Sequence, residues 1–411
     1  MLIRIKKILS PTPLIVLAIT SFIVCMVLFP TAVFQASKTG ISAWWNVVFP
    51  ALLPFFVSSE LLMGYGVVSF MGVLLEPVMR PLFNLPGAAS FVIAVGYTSG
   101  FPISASLSAR LRKDKLCTRF EAERLMCFTN NASPLFMLVA VGVGMFHNPR
   151  LGVLIALSHY TASLILGLVL RFFKTQDPEF VPIISQQGGI MGRALLEMKK
   201  SFRANPRPFG KMLGDAISSS INKLLVIGGF IIIFSVIIKI SVITGIMGTL
   251  VKIISLSATP LGFTNSSIQS LGWGFFEITL GTKAASEAIA PLTQNLTTVS
   301  IILGWSGISV LAQVAAMINE TDLKMGLFVV CRFIQAVLAG IICFTLAHIG
   351  YVCNWLAQPI SASTVVSAYN PSWFQSISFF SKLCIYSLTI WITLAALVYL
   401  LRTFSVIRFK I

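Results

Sequence analysis

Charge is scarce in this sequence. Only 10% of the 411 residues are Asp, Glu, Lys or Arg, whereas 56% are hydrophobic and the mean hydropathy is +0.90. Soluble domains contain about 25% charged and about 45–50% apolar residues. A water-soluble protein of this composition would have more apolar residues than its core can bury, so the composition predicts an integral membrane protein.

The sequence also lacks the patterns of catalytic and metal sites. Its three histidines, His147, His159 and His348, stand apart, and none of its seven cysteines forms a CxxC pair. It contains no GxSxG, HExxH or P-loop motif and no cluster of carboxylates. We therefore expect no catalytic residue, metal or cofactor. The chain is predicted not to be an enzyme or an ATP-driven pump.

Acidic residues are the rarest charges: 13 Asp and Glu stand against 30 Lys and Arg, which gives a net charge of +17. The basic residues lie in clusters between apolar runs, which indicates membrane topology rather than nucleic-acid binding, and positive loops stay in the cytoplasm. The two main clusters are Arg110, Arg112, Lys113, Lys115 and Arg119, and Lys174, Arg193, Lys199, Lys200, Arg203, Arg207 and Lys211. We place both clusters and the basic N-terminus on the cytoplasmic side.

Apolar runs of about 20 residues, the length that crosses a bilayer, predict eight spanning helices. They cover about residues 13–34, 50–70, 125–146, 151–173, 224–244, 298–318, 325–350 and 380–402. Two further apolar segments, 86–108 and 261–290, are interrupted by the glycine-rich stretches 96–102 and 272–281. Such interruptions are typical of re-entrant or discontinuous helices.

The predicted elements recur in one order, in residues 41–173 and again in 215–350, at an offset of about 174–181 residues. With both basic clusters inside, the first copy starts outside and the second starts inside, so we expect two inverted repeats in an all-α polytopic membrane protein. The other parts are an N-terminal membrane helix in 1–40, a basic cytoplasmic loop in 174–214, and an outside loop with a C-terminal membrane helix in 351–411. Inverted repeats with broken helices are typical of transporters; a duplicated helix bundle without transport is the alternative.

One carboxylate, Glu277, lies among aromatic residues of the second interrupted segment. A carboxylate at membrane depth is costly and usually faces a cavity, an ion path or a partner. It either neutralises a coupling cation or exchanges a proton, or it hydrogen-bonds to the backbone of its own break. Glu60 is a second candidate of the same kind.

Gly100 and Gly281 are the predicted hinges of the interrupted segments, because glycine removes steric hindrance where a new half-helix begins. The N-terminus of a half-helix offers unpaired N–H groups and partial positive charge, which suits an anionic ligand. Neighbouring residues then contribute to a substrate site: Thr98, Ser99, Phe101, Thr279 and Thr282.

Polar residues also interrupt two of the predicted spans. They are Asn130, Asn131 and Ser133 in the first repeat, and Ser306, Ser309 and Gln313 in the second. If these helices are unwound near mid-membrane, their side chains and freed carbonyls bind a polar ligand or a cation. Asn amides that bond across a helix interface are the alternative.

Arg332 is the one arginine well inside a predicted span. A buried guanidinium is expected to form an ion pair with a carboxylate, either that of Glu277 or that of a substrate. The planar shape of the guanidinium suits bidentate binding. The alternative is that Arg332 snorkels towards the cytoplasmic end of its helix.

Three stretches, WWNVVFPALLPFF at 44–56, GYTSGFP at 96–102 and TNNASP at 129–134, occur in this order. They resemble the first gate, or nucleoside-recognition, domain of the YlbJ-like stage V sporulation membrane proteins of endospore-forming bacteria; a second gate domain would cover about 215–350. The resemblance implies the fold of concentrative nucleoside transporters, with helical hairpins and unwound helices.

For the sporulation branch, the resemblance implies passage of dipicolinic acid from the mother cell towards the forespore across the outer forespore membrane. Dipicolinate is a small aromatic dianion, which suits helix N-termini, Asn amides and Arg332. The expected partners are this substrate, the lipid bilayer and a coupling proton or sodium ion; no nucleic acid is expected, and an oligomer stays open. A nucleoside carrier and a non-transporting sporulation assembly protein are the alternatives.

Overall fold

The computed structural model describes residues 11–173, 189–204 and 206–352, and the regular elements of these ranges are all helices. The predicted C-terminal span 380–402 and the loop 353–379 before it lie outside the described residues.

The N-terminal half contains eight α-helices and two π-helical stretches within the described residues. They are α1 (Pro11–Leu28), α2 (Pro30–Ala43), π1 (Trp44–Val48), α3 (Phe49–Gly64), α4 (Val67–Phe83), α5 (Ala89–Ser99), α6 (Ile103–Lys113), α7 (Arg119–Thr129), π2 (Phe136–Met145) and α8 (Pro149–Leu170).

The C-terminal half, as far as it is described, contains eight more α-helices. They are α9 (Ile190–Ala204), α10 (Phe209–Ile243), α11 (Ile246–Ala258), α12 (Asn265–Phe276), α13 (Ile278–Ser286), α14 (Leu292–Trp305), α15 (Gly307–Ile318) and α16 (Met325–Val352). Helix α9 lies inside the segment that was predicted as a basic cytoplasmic loop, so residues 190–204 of this connection between spans are helical.

Four helical stretches of the described residues are long and apolar enough to cross a membrane: α8, α10, α14 with α15, and most of α16. Two predicted single spans are bent instead. The first turns by 103° between α1 and α2, where Pro30 starts a new helix, and the second turns by 82° between α3 and α4. At the second bend Gly66 adopts φ +77°, which glycine adopts at little cost.

From α3 onward, the order of elements recurs with an offset of about 176 residues, as from Ala89 to Asn265. Each copy has a glycine bend, at Gly66 or Gly245, then a broken pair (α5–α6 or α12–α13), a second broken pair (α7–π2 or α14–α15) and a long helix (α8 or α16). The repeat expected from the sequence is therefore present in the fold. Its inverted orientation in the bilayer stays a prediction.

The breaks lie between two apolar clusters. The larger cluster is built on α4 to α7 and includes Val310 and Val314 of α15, whereas the smaller is built on π2, α8 and α14. Phe101, just after the α5 break, and Ile278, just after the α12 break, pack against both clusters. The two half-helices α6 and α13 therefore begin at the boundary between the clusters.

Candidate functional site

The first break lies where the sequence predicts it. Gly100 has φ +86° and separates α5 from α6, which begins at Ile103. A Cβ on Gly100 would lie 2.8 Å from the backbone N of Ser133, so this position admits only glycine without movement of its neighbours. Among the described residues no side chain caps the N-terminus of α6, and the first turn of α6 contains no acidic residue.

The second break differs from the prediction, because it falls at Glu277 rather than at Gly281. Glu277 is extended, with φ −148° and ψ 132°, and its Oε2 accepts a hydrogen bond from the Leu280 N–H at 2.8 Å. Gly281 lies inside α13, where a Cβ would come 2.3 Å from Gly274 Cα. A buried carboxylate of the chain itself thus caps α13 and takes the place expected for an anionic ligand.

The second broken pair of each repeat packs against the first. Gly100 touches Ser133 after α7, and Gly307 at the start of α15 lies against the backbone of Phe276 and Glu277. Ser306 and Gly307 adopt φ +71° and +74°. The predicted spans 125–146 and 298–318 are therefore interrupted, at residues 130–133 and at 306, and the sequence had allowed for this unwinding.

Arg332 holds the unwound end of α7 from the opposite repeat. Its guanidinium is fully buried, and it donates from Nη1 to the Asn130 carbonyl at 2.7 Å and from Nη2 to the Cys127 carbonyl at 2.5 Å. Nη2 also donates to Gln335 Oε1. The expected carboxylate partner, Glu277, is hydrogen-bonded to its own helix instead, and full burial excludes snorkelling.

Four further side chains that the sequence analysis did not select complete this network. Gln335 Nε2 donates to Asn131 Oδ1 at 3.0 Å, and His159 Nε2 accepts from the Ala132 N–H at 3.2 Å. Asn131 Nδ2 donates to Ser163 Oγ at 3.0 Å, and the Tyr160 hydroxyl donates to the Ala132 carbonyl at 3.0 Å. The signal that was missed is the polar face of α8, where His159 and Ser163 stand one turn apart in an apolar helix.

Within the described residues, four of the predicted site residues have buried polar atoms without a hydrogen-bond partner: Ser99 Oγ, Asn130 Nδ2, Ser306 Oγ and Arg332 Nε. Asn130 Oδ1 accepts from the hydroxyl of Ser104 at 3.0 Å, so the amide lies against the first turn of α6. Buried polar atoms normally have a hydrogen-bond partner. The breaks are therefore places where polar atoms of the described residues are left without one.

Other predicted site residues use their hydroxyl groups locally. Thr98 is exposed and bonds to the Ala94 carbonyl, and Thr282 bonds to the Ile278 carbonyl. Gln313 donates to Ser309, Ser133 accepts from the Phe136 N–H, and Thr279 lies in the first turn of α13. These residues support the backbone around the breaks.

Ion pairs join the first basic cluster to other elements. Glu60, the second candidate carboxylate of the sequence analysis, forms ion pairs with both Arg110 and Lys223 at 2.7 Å. Its negative charge is therefore balanced by these two side chains. Arg112 of α6 binds Asp322 at 2.8 Å, and Lys113 pairs with Glu320, both in the loop between α15 and α16. The hydrogen bond from Arg112 lowers the pKa of Asp322, and the hydrogen bond from Lys113 lowers the pKa of Glu320.

Comparisons with known proteins find similarity to a family model, to a named relative and to a solved structure. The family model "Gate: Nucleoside recognition" matches residues 45–175. The sporulation integral membrane protein YlbJ of Bacillus subtilis (strain 168) is 42% identical over 361 residues, which are 84% of this chain and 86% of that protein. A solved structure of CNTnw in an outward-facing state covers 79% of this chain and 85% of its own, with 12% identity and a TM-score of 0.33. At this identity and coverage, the chain belongs to the family of the sporulation integral membrane protein YlbJ.

Proposed function

We propose that this chain is a secondary transporter of a small anionic metabolite. The observation that carries the proposal is the buried, unpartnered Nδ2 of Asn130 beside the uncapped N-terminus of α6. Asn130 Nδ2, the Ser99 hydroxyl and the partial charge of the half-helix are all suited to a carboxylate. The same break sits between the two apolar clusters, where an aromatic ring finds apolar contacts.

Dipicolinic acid is the proposed substrate, carried from the mother cell towards the forespore across the outer forespore membrane. Membership of a sporulation membrane protein family supports this choice. The chemistry supports it as well, because a dianion that leaves water needs several converging donors. In this proposal the first repeat binds the anion, and the second repeat, whose half-helix is capped by Glu277, carries the coupling proton or sodium ion.

Flux measurements on the purified full-length protein in proteoliposomes test this function. Dipicolinate uptake should exceed that of protein-free vesicles, and an imposed proton or sodium gradient should raise it further. Uptake that equals the protein-free control under every gradient would refute transport and would favour a non-transporting role in assembly of the sporulating cell.

A nucleoside carrier is the second candidate, favoured by the match of residues 45–175 to the nucleoside-recognition gate family. A nucleoside is neutral at its sugar and base, so the uncapped helix N-terminus would contribute less to its binding. Competition separates the two candidates: excess nucleoside should leave dipicolinate uptake unchanged if the site is built for an anion, and should suppress it if nucleosides are the substrate.

A further inference from the structure

Helix α9 is a short amphipathic helix between two long membrane-crossing helices, α8 and α10. We propose that its exposed face binds anionic phospholipid headgroups at the surface of the bilayer. The proposal does not depend on the transported substrate.

One face of α9 is fixed to the protein. Ala194 is fully buried, and the ring of Phe202 stacks on Tyr65 at a centroid distance of 5.4 Å. The backbone of Met198 lies directly against Gly66. A Cβ built on Gly66 would come within 2.7 Å of the Met198 carbonyl oxygen. The helix is thus docked on the bend between α3 and α4.

Helix α9 also carries exposed apolar side chains: Met191 is 53% exposed, Leu195 43% and Leu196 66%. Phe209, in the first turn of the next helix, is also exposed. Exposed apolar side chains next to two membrane-crossing helices fit insertion into the boundary between headgroups and acyl chains.

Basic side chains follow one turn later on the same helix. Lys199, Lys200 and Arg203 are exposed, and the acidic residue of α9, Glu197, is mostly buried and lies 3.7 Å from Lys200. An apolar patch followed by exposed positive charge fits a surface of anionic lipids, which attracts basic segments near a membrane helix. A second copy of this chain would place like charges against each other, so we assign the face to lipid.

The test uses the full-length protein in nanodiscs of phosphatidylcholine alone or of equal parts phosphatidylcholine and phosphatidylglycerol. An environment-sensitive fluorophore is attached at Leu196→Cys, after replacement of Cys25, Cys353 and Cys384 by Ser. We expect a blue-shifted emission and stronger quenching by spin-labelled lipid in the discs with phosphatidylglycerol. Raising the salt concentration should reduce the difference, because ions screen exposed charges.

Two triple variants complete the test. Lys199→Gln with Lys200→Gln and Arg203→Gln should abolish the difference between the two lipid compositions. The matched control, Lys239→Gln with Lys252→Gln and Lys283→Gln, removes three exposed lysines from other helices and should retain it. Equal emission and quenching in both compositions for the native charge pattern, or a difference that survives in the first triple variant, would overturn the proposal.

Discussion

Arg332 on α16 donates a hydrogen bond of 2.7 Å to the backbone oxygen of Asn130, a residue 202 positions earlier in the chain. The guanidinium supplies donors to carbonyls that the break after α7 leaves without helical partners. It thereby fixes the residue whose amide faces the uncapped half-helix α6. Arg332, which the sequence analysis expected to bind substrate, thus holds the backbone that carries the proposed binding groups.

Replacing Arg332 should weaken both stability and binding. In Arg332→Gln the Asn130 and Cys127 carbonyls lose their donors, at a cost of about 1–3 kcal/mol each. Dipicolinate affinity should fall far more than in Lys252→Gln, an exposed position, and Arg332→Lys should restore only part of it because lysine lacks the planar fork. Thermal unfolding and titration calorimetry at fixed ionic strength measure both effects.

Arg124 provides the matched control for Arg332. It is also buried and donates to the carbonyls of Asn84 and Arg171, away from the breaks. Arg124→Gln should lower the unfolding temperature while the remaining folded protein keeps its dipicolinate affinity. If the Arg332→Gln protein binds dipicolinate as tightly as wild type, Arg332 does not position Asn130 for binding, and the prediction is contradicted.

Two substitutions of Glu277 should separate its role in helix capping from its proposed role in ion coupling. The side-chain oxygen of Glu277→Gln can still accept from the Leu280 N–H, so stability should be kept, whereas Glu277→Ala should lose about 1 kcal/mol of the capping contribution. In proteoliposomes the Gln variant should bind dipicolinate but no longer respond to the coupling gradient. A gradient response equal to wild type would assign Glu277 to capping alone.

The contrast between Gly100 and Glu277 shows how far the sequence predicts the site. Glycine-rich interruptions located both broken segments, and Gly100 is the hinge because its backbone has positive φ. The second break needs no positive φ, since an extended residue with a capping carboxylate ends one helix and starts the next. Composition alone does not distinguish these two ways of breaking a helix.

Close packing at two glycines predicts graded losses of stability. Gly100→Ala must place a Cβ 2.8 Å from Ser133 N at φ +86°, and Gly281→Ala must separate α13 from Gly274. Each should cost more than about 1 kcal/mol of unfolding free energy. In Gly229→Ala no described atom outside the backbone of its own helix lies within 4 Å of the new Cβ, so a helical alanine should be neutral or stabilising. Equal unfolding temperatures for all three variants would contradict this packing.

The Asp322 carboxylate should make stability depend on acid pH. Its folded pKa lies below the unfolded value of about 4, so ionised Asp322 favours the folded state above that value. As pH falls through the folded pKa this contribution is lost. Because Asp322 is half-exposed, it is worth at most about 1 kcal/mol. The difference in unfolding temperature between wild type and Asp322→Asn should be present at pH 7 and vanish in acid; a constant difference would contradict the ion pair.

Long-range contacts were beyond prediction from one sequence. Apolar runs and basic clusters indicated the helical membrane fold and the recurrence of its elements. The carbonyl partners of Arg332, and the meeting of Gln335 with Asn131, join residues about 200 positions apart. Local sequence periodicity does not predict such long-range contacts, because they depend on how the two repeats pack against each other.

The most direct test of the account is dipicolinate binding by the Asn130→Asp protein. Aspartate keeps the oxygen that accepts from Ser104 but replaces the free donor by negative charge, so affinity should fall at least about tenfold, a change of about 1.4 kcal/mol. Asn295→Asp, at a buried amide whose Nδ2 already bonds to the Ala288 carbonyl, should bind like wild type. Calorimetric titration of the three folded proteins at fixed ionic strength decides the question: selective loss in Asn130→Asp is the predicted result, and equal affinity in all three would contradict an anion site at the N-terminus of α6.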